Sequence, residues 1–436
     1  MNKPTRTTSA DATAVAAVPR SAAEYGALDQ FLRTRLLAQL ALLQGQPLQL
    51  RDALGTVQIG HAYANEQTLR LRIHDPAFYR AIAANGSLGA AEAYLDGHWD
   101  CDDLVGLVRL LVRNRALLDR METGPARIGG WLMRGWHALR RNTRDGARRN
   151  IGAHYDLGNA FFGLFLSDDL MYSSALYAGD HDTLEQASAR KLERLCRKLR
   201  LRPDDHVIEI GSGWGGFAVH AAARYGCRVT TTTISAEQYA LASARVAEAG
   251  LQDRVTVLQQ DYRDLQGQYD KLVSIEMVEA IGAAYLPTYF AKLGALLKPD
   301  GIALVQAITI EDHRYEQALR SVDFIKRHVF PGAFIPSIAG MLEAKTRSSD
   351  LALTHLEDFG SSYARTLHDW RQRFLARLPQ VRAQGFDERF IRLWQFYLAY
   401  CEGGFRERSI GVVQMLLAKP GNREAEYLVG LDRIEA

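Results

Sequence analysis

Apolar positions change their period twice along this chain. In "LDQFLRTRLLAQLALLQ" (28–44) they recur at helical spacing and predict an amphipathic helix. Over 46–75, "QPLQLRDALGTVQIGHAYANEQTLRLRIHD", they alternate with polar residues, which predicts short strands joined by turns. "FYRAIAANGSLGAAEAYLDGHWDCDDLVGLVRLLVRN" (78–114) returns to the helical period. Residues 26–125 therefore read as a small α+β domain. Residues 1–25 are rich in Ala, Ser and Thr and lack an uninterrupted apolar core, so they read as a disordered tail rather than a signal peptide.

From about residue 185 strands and helices alternate. "DHVIEI", "CRVTTTTI", "RVTVLQQ", "DKLVSI" and "IALVQAITI" read as strands. The helices among them are "TLEQASARKLERLCRKLRL", "FAVHAAARYG", "SAEQYALASARVAEAG" and "YLPTYFAKLGALLKPDG". This alternation predicts an α/β fold with a doubly wound parallel sheet, whose ligand loops gather at the strand C-terminal ends.

Composition adds boundaries. The chain has 436 residues, 47% hydrophobic and 24% charged, as in an ordinary globular protein. No apolar run approaches the ~20 residues of a membrane span. Cys101, Cys196, Cys227 and Cys401 are scattered without CxxC spacing, which argues against a disulfide framework or a zinc site and fits a reducing cytosol. Charge is uneven. "RIGGWLMRGWHALRRNTRDGARRN" (127–150) holds seven arginines against one aspartate, with Trp131 and Trp136 among them, so the remainder of the chain is net negative. A basic segment with amphipathic aromatics suits an anionic membrane surface, and a solvated linker is the plainer reading. No nucleic-acid motif accompanies it. Residues 126–150 thus read as a basic linker before a second domain, 151–436.

Two stretches carry chemistry. "EIGSGWGG" places Gly211, Gly213 and Gly216 at GxGxxG spacing between a strand and a helix, where close backbone approach to a ligand is possible. Alone this admits a dinucleotide enzyme. Such an enzyme should show an acidic residue about 20 positions on, where "TTTTIS" has none. Glu209, two residues before the first glycine, resembles instead motif I of class I S-adenosylmethionine methyltransferases. In "LVSIEMVEAIG" two glutamates, Glu276 and Glu279, follow a buried strand; their spacing would put both carboxylates on one face of a helix.

Several stretches together resemble the cyclopropane-fatty-acyl-phospholipid synthases and mycolic acid methyltransferases. They are "AEAYLDGHWD" (91–100), "HYDLGNAFFGLFL" (154–166), "MYSSALY" (171–177), "IEIGSGWGGFA" (208–218) and "TTISAEQ" (232–238). They continue with "QDYRDL" (260–265), "EMVEAIG" (276–282), "DFIKRHVFPG" (323–332) and "FYLAYCEGGFRER" (396–408), so that the resemblance spans about 80–420 in order. It implies a class I methyltransferase, Rossmann-like, with lipid-binding insertions in its domain and the smaller α+β domain before it. S-adenosylmethionine would lie over Gly211, Ser212 and Gly213. Thr233, Ile234, Ser235 and Gln238 would follow its ribose, Tyr262 and Arg263 its adenine, and Tyr172 and Ser173 its methionine end.

The implied reaction adds a methylene group across a cis double bond of an unsaturated phospholipid acyl chain, through a carbocation deprotonated by enzyme-bound bicarbonate. Glu279 and Tyr363 match positions around that bicarbonate, and Gln306 could donate to it without titrating. Cys401 matches a cysteine often assigned to the active site, and a buried filler is the plainer reading. His154 and Asp156 would order the cofactor segment, and Glu276, without a catalytic match, reads as local and structural. Three positions depart from the common pattern. Ser174 stands for a cysteine, where a contact through the backbone amide would survive; Ala280 and Gln306 each stand for a histidine. These bear on the product more than on the reaction class. A methylene- or methyl-branched product, a small-molecule methyltransferase on the same scaffold and a non-enzymatic lipid-binding module are the alternatives. The implied setting is the cytoplasmic face of the membrane, peripherally bound, with a homodimer compatible and with neither metal nor nucleic acid expected.

Overall fold

Period-2 burial builds the first sheet. In the computed structural model, which describes residues 25–60, 67–121 and 157–423, the chain divides into two units, Met1–Asp103 and Leu104–Ala436. In the first, β1 (Leu48–Asp52) and β2 (Gly55–Ile59) form an antiparallel hairpin. β3 (Leu69–Ile73) joins β1 in parallel, and β4 (Trp99–Cys101) closes the order β2-β1-β3-β4. Leu69, Leu71 and Ile73 are buried while Arg70 and Arg72 between them are exposed, as the alternation predicts. Helices Ala27–Leu40 and Ala77–Leu95 belong to the same unit.

The second unit begins earlier than the expected boundary at 125–150. Helix Leu104–Arg113 packs along helix Glu388–Arg406 so closely that a β-carbon on Gly403 would sit 2.6 Å from Val108. Arg109 and Arg113 both reach Glu407, at 2.6 and 2.9 Å. The 1–25 tail, except Tyr25, and the 126–150 linker lie outside the described residues.

The central sheet runs β10-β11-β9-β8-β5-β6-β7. Its parallel part is β5 (His206–Ile210), β6 (Arg228–Thr233), β7 (Val255–Gln259), β8 (Tyr269–Ile275) and β9 (Leu297–Ile310), each near the strand read from the sequence. β10 (Ala352–Asp358) and β11 (Ile410–Ala418), not foreseen, add an antiparallel edge. Both faces of the central strands are covered, so β5, β8 and β9 are buried along most of their length. Val207 packs with Leu192, Leu195 and Phe217 on one side, and Ile208 and Ile210 with Tyr289, Phe290 and Leu293 on the other.

One polar row interrupts this core. Glu357 of β10 lies beside Gln414 of β11, and Gln414 beside Gln306 of β9. Lys198, fully buried in helix Leu184–Leu199, donates to Glu357 at 2.5 Å and to Gln414 Oε1 at 2.7 Å. Gln414 Nε2 donates to Gln306 Oε1 at 3.0 Å, and Gln306 Nε2 to Glu276 Oε1 at 2.8 Å. Taking one member from a buried ionic pair leaves its partner desolvated and uncompensated. The Lys198→Met variant should therefore lose about 3 kcal/mol in urea unfolding, and Lys198→Met combined with Gln414→Leu should lose less than the two single losses added together.

Candidate active site

The glycine turn follows β5 directly. Gly211, Gly213 and Gly215 hold φ of +95°, +48° and +86°, in the region where only glycine is unstrained. The Gly211 and Ser212 amides both donate to the Thr232 carbonyl, at 3.0 and 2.8 Å, so the turn is tied to β6. A β-carbon on Gly211 would press on Met277 at 3.1 Å, one on Gly216 would meet Met171 Sδ at 2.6 Å, and one on Gly213 would meet nothing within 4 Å. Two of the three motif glycines thus allow close packing, and Gly213 leaves open space above the turn, as a cofactor cradle requires.

The flanking residues fit a nucleoside. Thr233 ends β6 and donates from Oγ1 to Gln238 Oε1 at 2.8 Å. Ser235 caps helix Ala236–Glu248 by accepting from the Gln238 amide at 3.2 Å. The Gln238 side-chain nitrogen has no partner among the described residues, which leaves a donor for a ribose hydroxyl oxygen, and Ile234 lies between these two polar positions, partly exposed. Arg263 is held by Asp261 at 2.8 and 2.6 Å, with its guanidinium 5.7 Å from the Tyr262 ring centroid and 5.6 Å from that of Tyr285. The Tyr262 hydroxyl is buried without a partner among the described residues, and desolvation pushes its pKa up to about 12. This orphaned group, the open face at Gly213 and the free Gln238 amide together accommodate S-adenosylmethionine.

At the other end of the turn, Tyr172 shares a 2.9 Å hydrogen bond with Tyr397, and Ser173 accepts from Lys191 Nζ at 2.9 Å. Lys191 is fully buried. Desolvation brings its ammonium down to about 8, against the pull of Asp169, Glu276 and Glu209. Glu209, beside Thr231 in the sheet and accepting its hydroxyl at 2.6 Å, is pushed up to about 8 by burial. Sequence reading missed Lys191 and Lys198. Their signal lay in the helical period: Leu184, Ser188, Lys191, Leu195 and Lys198 form one buried stripe, and lysines do not belong on such a stripe unless paired.

The two glutamates separate. Glu276 adopts a left-handed backbone, φ +48°, and a 3₁₀ turn Val278–Ala280 follows, so no common helix face forms. Glu276 Oε1 accepts from the Ser174 amide at 2.9 Å and from Gln306, and Oε2 accepts from the Tyr363 hydroxyl at 2.7 Å. Burial raises its pKa, and the Gln306, Ser174 and Tyr363 donors and Lys191 oppose the rise. Glu279 Oε1 accepts from the Ile308 amide at 2.5 Å, while Oε2 is buried without a partner among the described residues. Burial and the neighbouring Glu276 push Glu279 up to about 8.

This corrects two expectations. Glu276 is not merely local, because Tyr363 and Gln306, assigned to a bicarbonate beside Glu279, are bonded to Glu276 instead. The backbone contact anticipated at Ser174 exists and also ends on Glu276. A free bicarbonate does not fit this donor set. The Cys401 thiol is raised by desolvation and by Asp323, which favours its protonated form. His154 and Asp156 lie outside the described residues.

Aromatic residues enclose the carboxylates. Tyr363 lies 4.5 Å from Phe405 and 6.2 Å from Trp370, centroid to centroid, and Tyr172 lies 5.3 Å from Trp370 and 6.4 Å from Phe330. Phe330 directly follows a π-helical turn, Ile325–Val329, within the "FIKRHVFPG" stretch, and the Phe334 amide donates to the Glu279 carbonyl at 3.0 Å. The result is an aromatic cluster linked to the buried Glu276 through the Tyr363 hydroxyl.

The chain is similar to known proteins. The family model for mycolic acid cyclopropane synthetase matches residues 142–415. Tuberculostearic acid methyltransferase UfaA1 of Mycobacterium tuberculosis is 36% identical over 420 residues, covering 94% of this chain and 95% of its own. The cyclopropane-fatty-acyl-phospholipid synthase of Escherichia coli is 36% identical over 353 residues, covering 80% of this chain and 87% of its own. A crystal structure of the mycolic acid cyclopropane synthase CmaA1 complexed with SAH and CTAB, 28% identical, matches 62% of this chain and 98% of its own with a TM-score of 0.59.

A carboxyl whose folded pKa stands above its unfolded value stabilises the fold fully below the unfolded pKa. That contribution is lost as pH rises through the folded pKa. For Glu279 the window runs from about 4.5 to about 8. Wild type should therefore lose roughly 3–4 kcal/mol relative to Glu279→Gln between pH 5 and pH 8. Urea unfolding of both proteins across that range checks this, and the similar shift of Glu209 cancels in the difference.

Proposed function

The chain belongs to the mycolic acid cyclopropane synthetase family of S-adenosylmethionine-dependent methyltransferases, and we propose that it adds a methylene unit across the cis double bond of an unsaturated phospholipid acyl chain, closing a cyclopropane ring. The observation that carries this reading is the nearness of proton-accepting carboxylates to the cofactor turn. Met277, between Glu276 and Glu279, is the residue a β-carbon on Gly211 would strike. A transferase acting on an amine or hydroxyl can give up its proton to water. Methylation of an alkene leaves a carbocation that water would capture, so its proton must pass to a base inside a dry wall.

S-adenosylmethionine, when bound, supplies an electrophilic methyl group. The protein's part is to place and protect. Gly211, Ser212 and Gly213 admit the cofactor's polar groups, Gln238 and Tyr262 offer donors to the nucleoside, and the Tyr172–Ser173 segment borders the reacting end. Tyr363, Trp370, Phe330 and Phe405 exclude water from the cation, which would otherwise be captured as an alcohol. Glu276 and Glu279 stand by for the proton.

A second reading is favoured by the similarity to a tuberculostearic acid methyltransferase across nearly the whole chain. If a 1,2-hydride shift first moves the cation to the carbon that bears the new methyl, loss of a methyl proton yields a methylene-branched chain; direct loss of the proton on the methyl-bearing carbon yields a methyl-branched alkene. Either product needs access to lipid. No described helix is long and apolar enough to cross a membrane, and we assign peripheral binding at the cytoplasmic leaflet to the arginine- and tryptophan-rich segment 127–150.

Incubation with S-adenosylmethionine and vesicles of an unsaturated phospholipid, followed by proton NMR of the lipid, should show cyclopropane ring protons. Vinylidene protons would establish the branched reading, and no lipid product would overturn both; mass alone fails because the ring and methylene products are isomers. The double variant Glu276→Gln with Glu279→Gln should abolish turnover while binding S-adenosylmethionine within about twofold of wild type by calorimetry, and lost cofactor binding would make the pair structural. Binding to anionic vesicles should weaken as salt rises from 50 to about 500 mM, and salt-insensitive binding would remove the role given to 127–150.

A further inference from the structure

We propose that the Glu276 carboxylate is itself the proton acceptor of this reaction, so that the enzyme carries its base in its own chain and recruits no dissolved anion. The inference rests on the carbocation reading above and concerns how its proton is removed.

The donors around Glu276 come from three separate parts of the fold: the Ser174 amide ahead of helix Leu184–Leu199, Gln306 from β9, and Tyr363 from helix Gly360–Ala376. Nothing in local sequence brings them together, and together they form a cradle for a planar, two-oxygen anion. A bicarbonate would need these same groups, and Glu276 occupies them. Oε1 accepts two hydrogen bonds and is saturated. Oε2 accepts one, from Tyr363, and keeps a lone pair.

The direction of the Gln306 amide is forced. An ammonium has no acceptor capacity, so Lys198 must face Gln414 Oε1. Gln414 then presents Nε2 to Gln306 Oε1, and Gln306 presents Nε2 to Glu276. Gln306 is therefore held as a donor to an anion. Between the two glutamates the charge belongs on Glu276, which has three donors and lies near the Lys191 ammonium. Glu279 has the Ile308 amide alone and a buried, unpartnered oxygen, which suits a protonated neighbour.

The backbone points the same way. At φ +48° a glycine would be unstrained, yet the chain places a glutamate there. Strain at such a position persists where the side chain has a task.

The step balances without a further reactant. A C–H bond of the newly attached methyl breaks, its electron pair forms the C–C bond to the cationic carbon, and the proton passes to Glu276 Oε2. Product release exposes the carboxyl to solvent, and the proton is lost there.

The test uses the full chain and ¹³C-labelled bicarbonate, followed by NMR line broadening, with Glu276→Gly as the variant because glycine suits the backbone. Wild type should show no saturable bicarbonate binding up to 20 mM, and Glu276→Gly, with the three donors vacated, should bind it. In CO₂-depleted buffer wild-type turnover should stay within twofold of its value in 10 mM bicarbonate, while Glu276→Gly should lose at least 100-fold and recover at least tenfold on adding bicarbonate. Glu276→Gln should be inactive and unrescued while keeping cofactor affinity and melting temperature, which separates lost chemistry from lost fold. Saturable binding to wild type, or a tenfold fall in its turnover without bicarbonate, overturns the proposal. A wild type that forms no lipid product defeats the reaction reading instead, and the binding comparison still decides the place of Glu276.

Discussion

An ammonium can only donate, and in this protein that restriction travels across the sheet. Lys198, sealed into the core, fixes the orientation of Gln414, which fixes Gln306, which fixes the donor aimed at Glu276. None of the amides can flip without placing two donors or two acceptors face to face in a dry interior, at the cost of a buried unsatisfied group. The antiparallel edge of the sheet exists on these terms. β10 contributes Glu357 to neutralise the lysine, β11 contributes the first amide, and β9 passes the polarity on to the loop after β8.

The same dryness that makes the row directional suits cation chemistry. Glu209, Glu276, Glu279, Lys191 and Lys198 are all withdrawn from water, and burial alone would neutralise every one of them. What differs is the hydrogen bonding each receives. Glu276 is well supplied, Glu279 and Glu209 poorly, so the donors each carboxyl receives, rather than its residue type, set how strongly the rise from burial is opposed.

Much of the parallel half of the sheet was legible in the sequence, because each βα unit is local and its glycine turn has a steric reason visible in the spacing. Strands β10 and β11 were not, since the alternation of strand and helix had ended and neither strand's partner is near in sequence. The carboxylate pair was found, but the helix face it was expected to share does not form. A three-residue spacing implies a shared face only if the backbone is helical, and the left-handed residue at 276 breaks that premise. Tyr363 and Gln306 were singled out through resemblance, yet their common partner, Glu276, could be learned only from the fold. Lys191 and Lys198 were readable as charges on an apolar stripe and were passed over because the helix was read for its period and not for its exceptions.

The left-handed turn at Glu276 has a further consequence. A base tethered to the chain is present at a fixed effective concentration, set by geometry. A dissolved base follows the composition of the surroundings. With the carboxylate built in, remodelling of acyl chains would proceed at the same rate whether the cell is rich or poor in inorganic carbon. Because glycine is the residue that this backbone conformation accepts most readily, a single substitution would exchange that independence for dependence on carbon dioxide, and would do so without disturbing the turn.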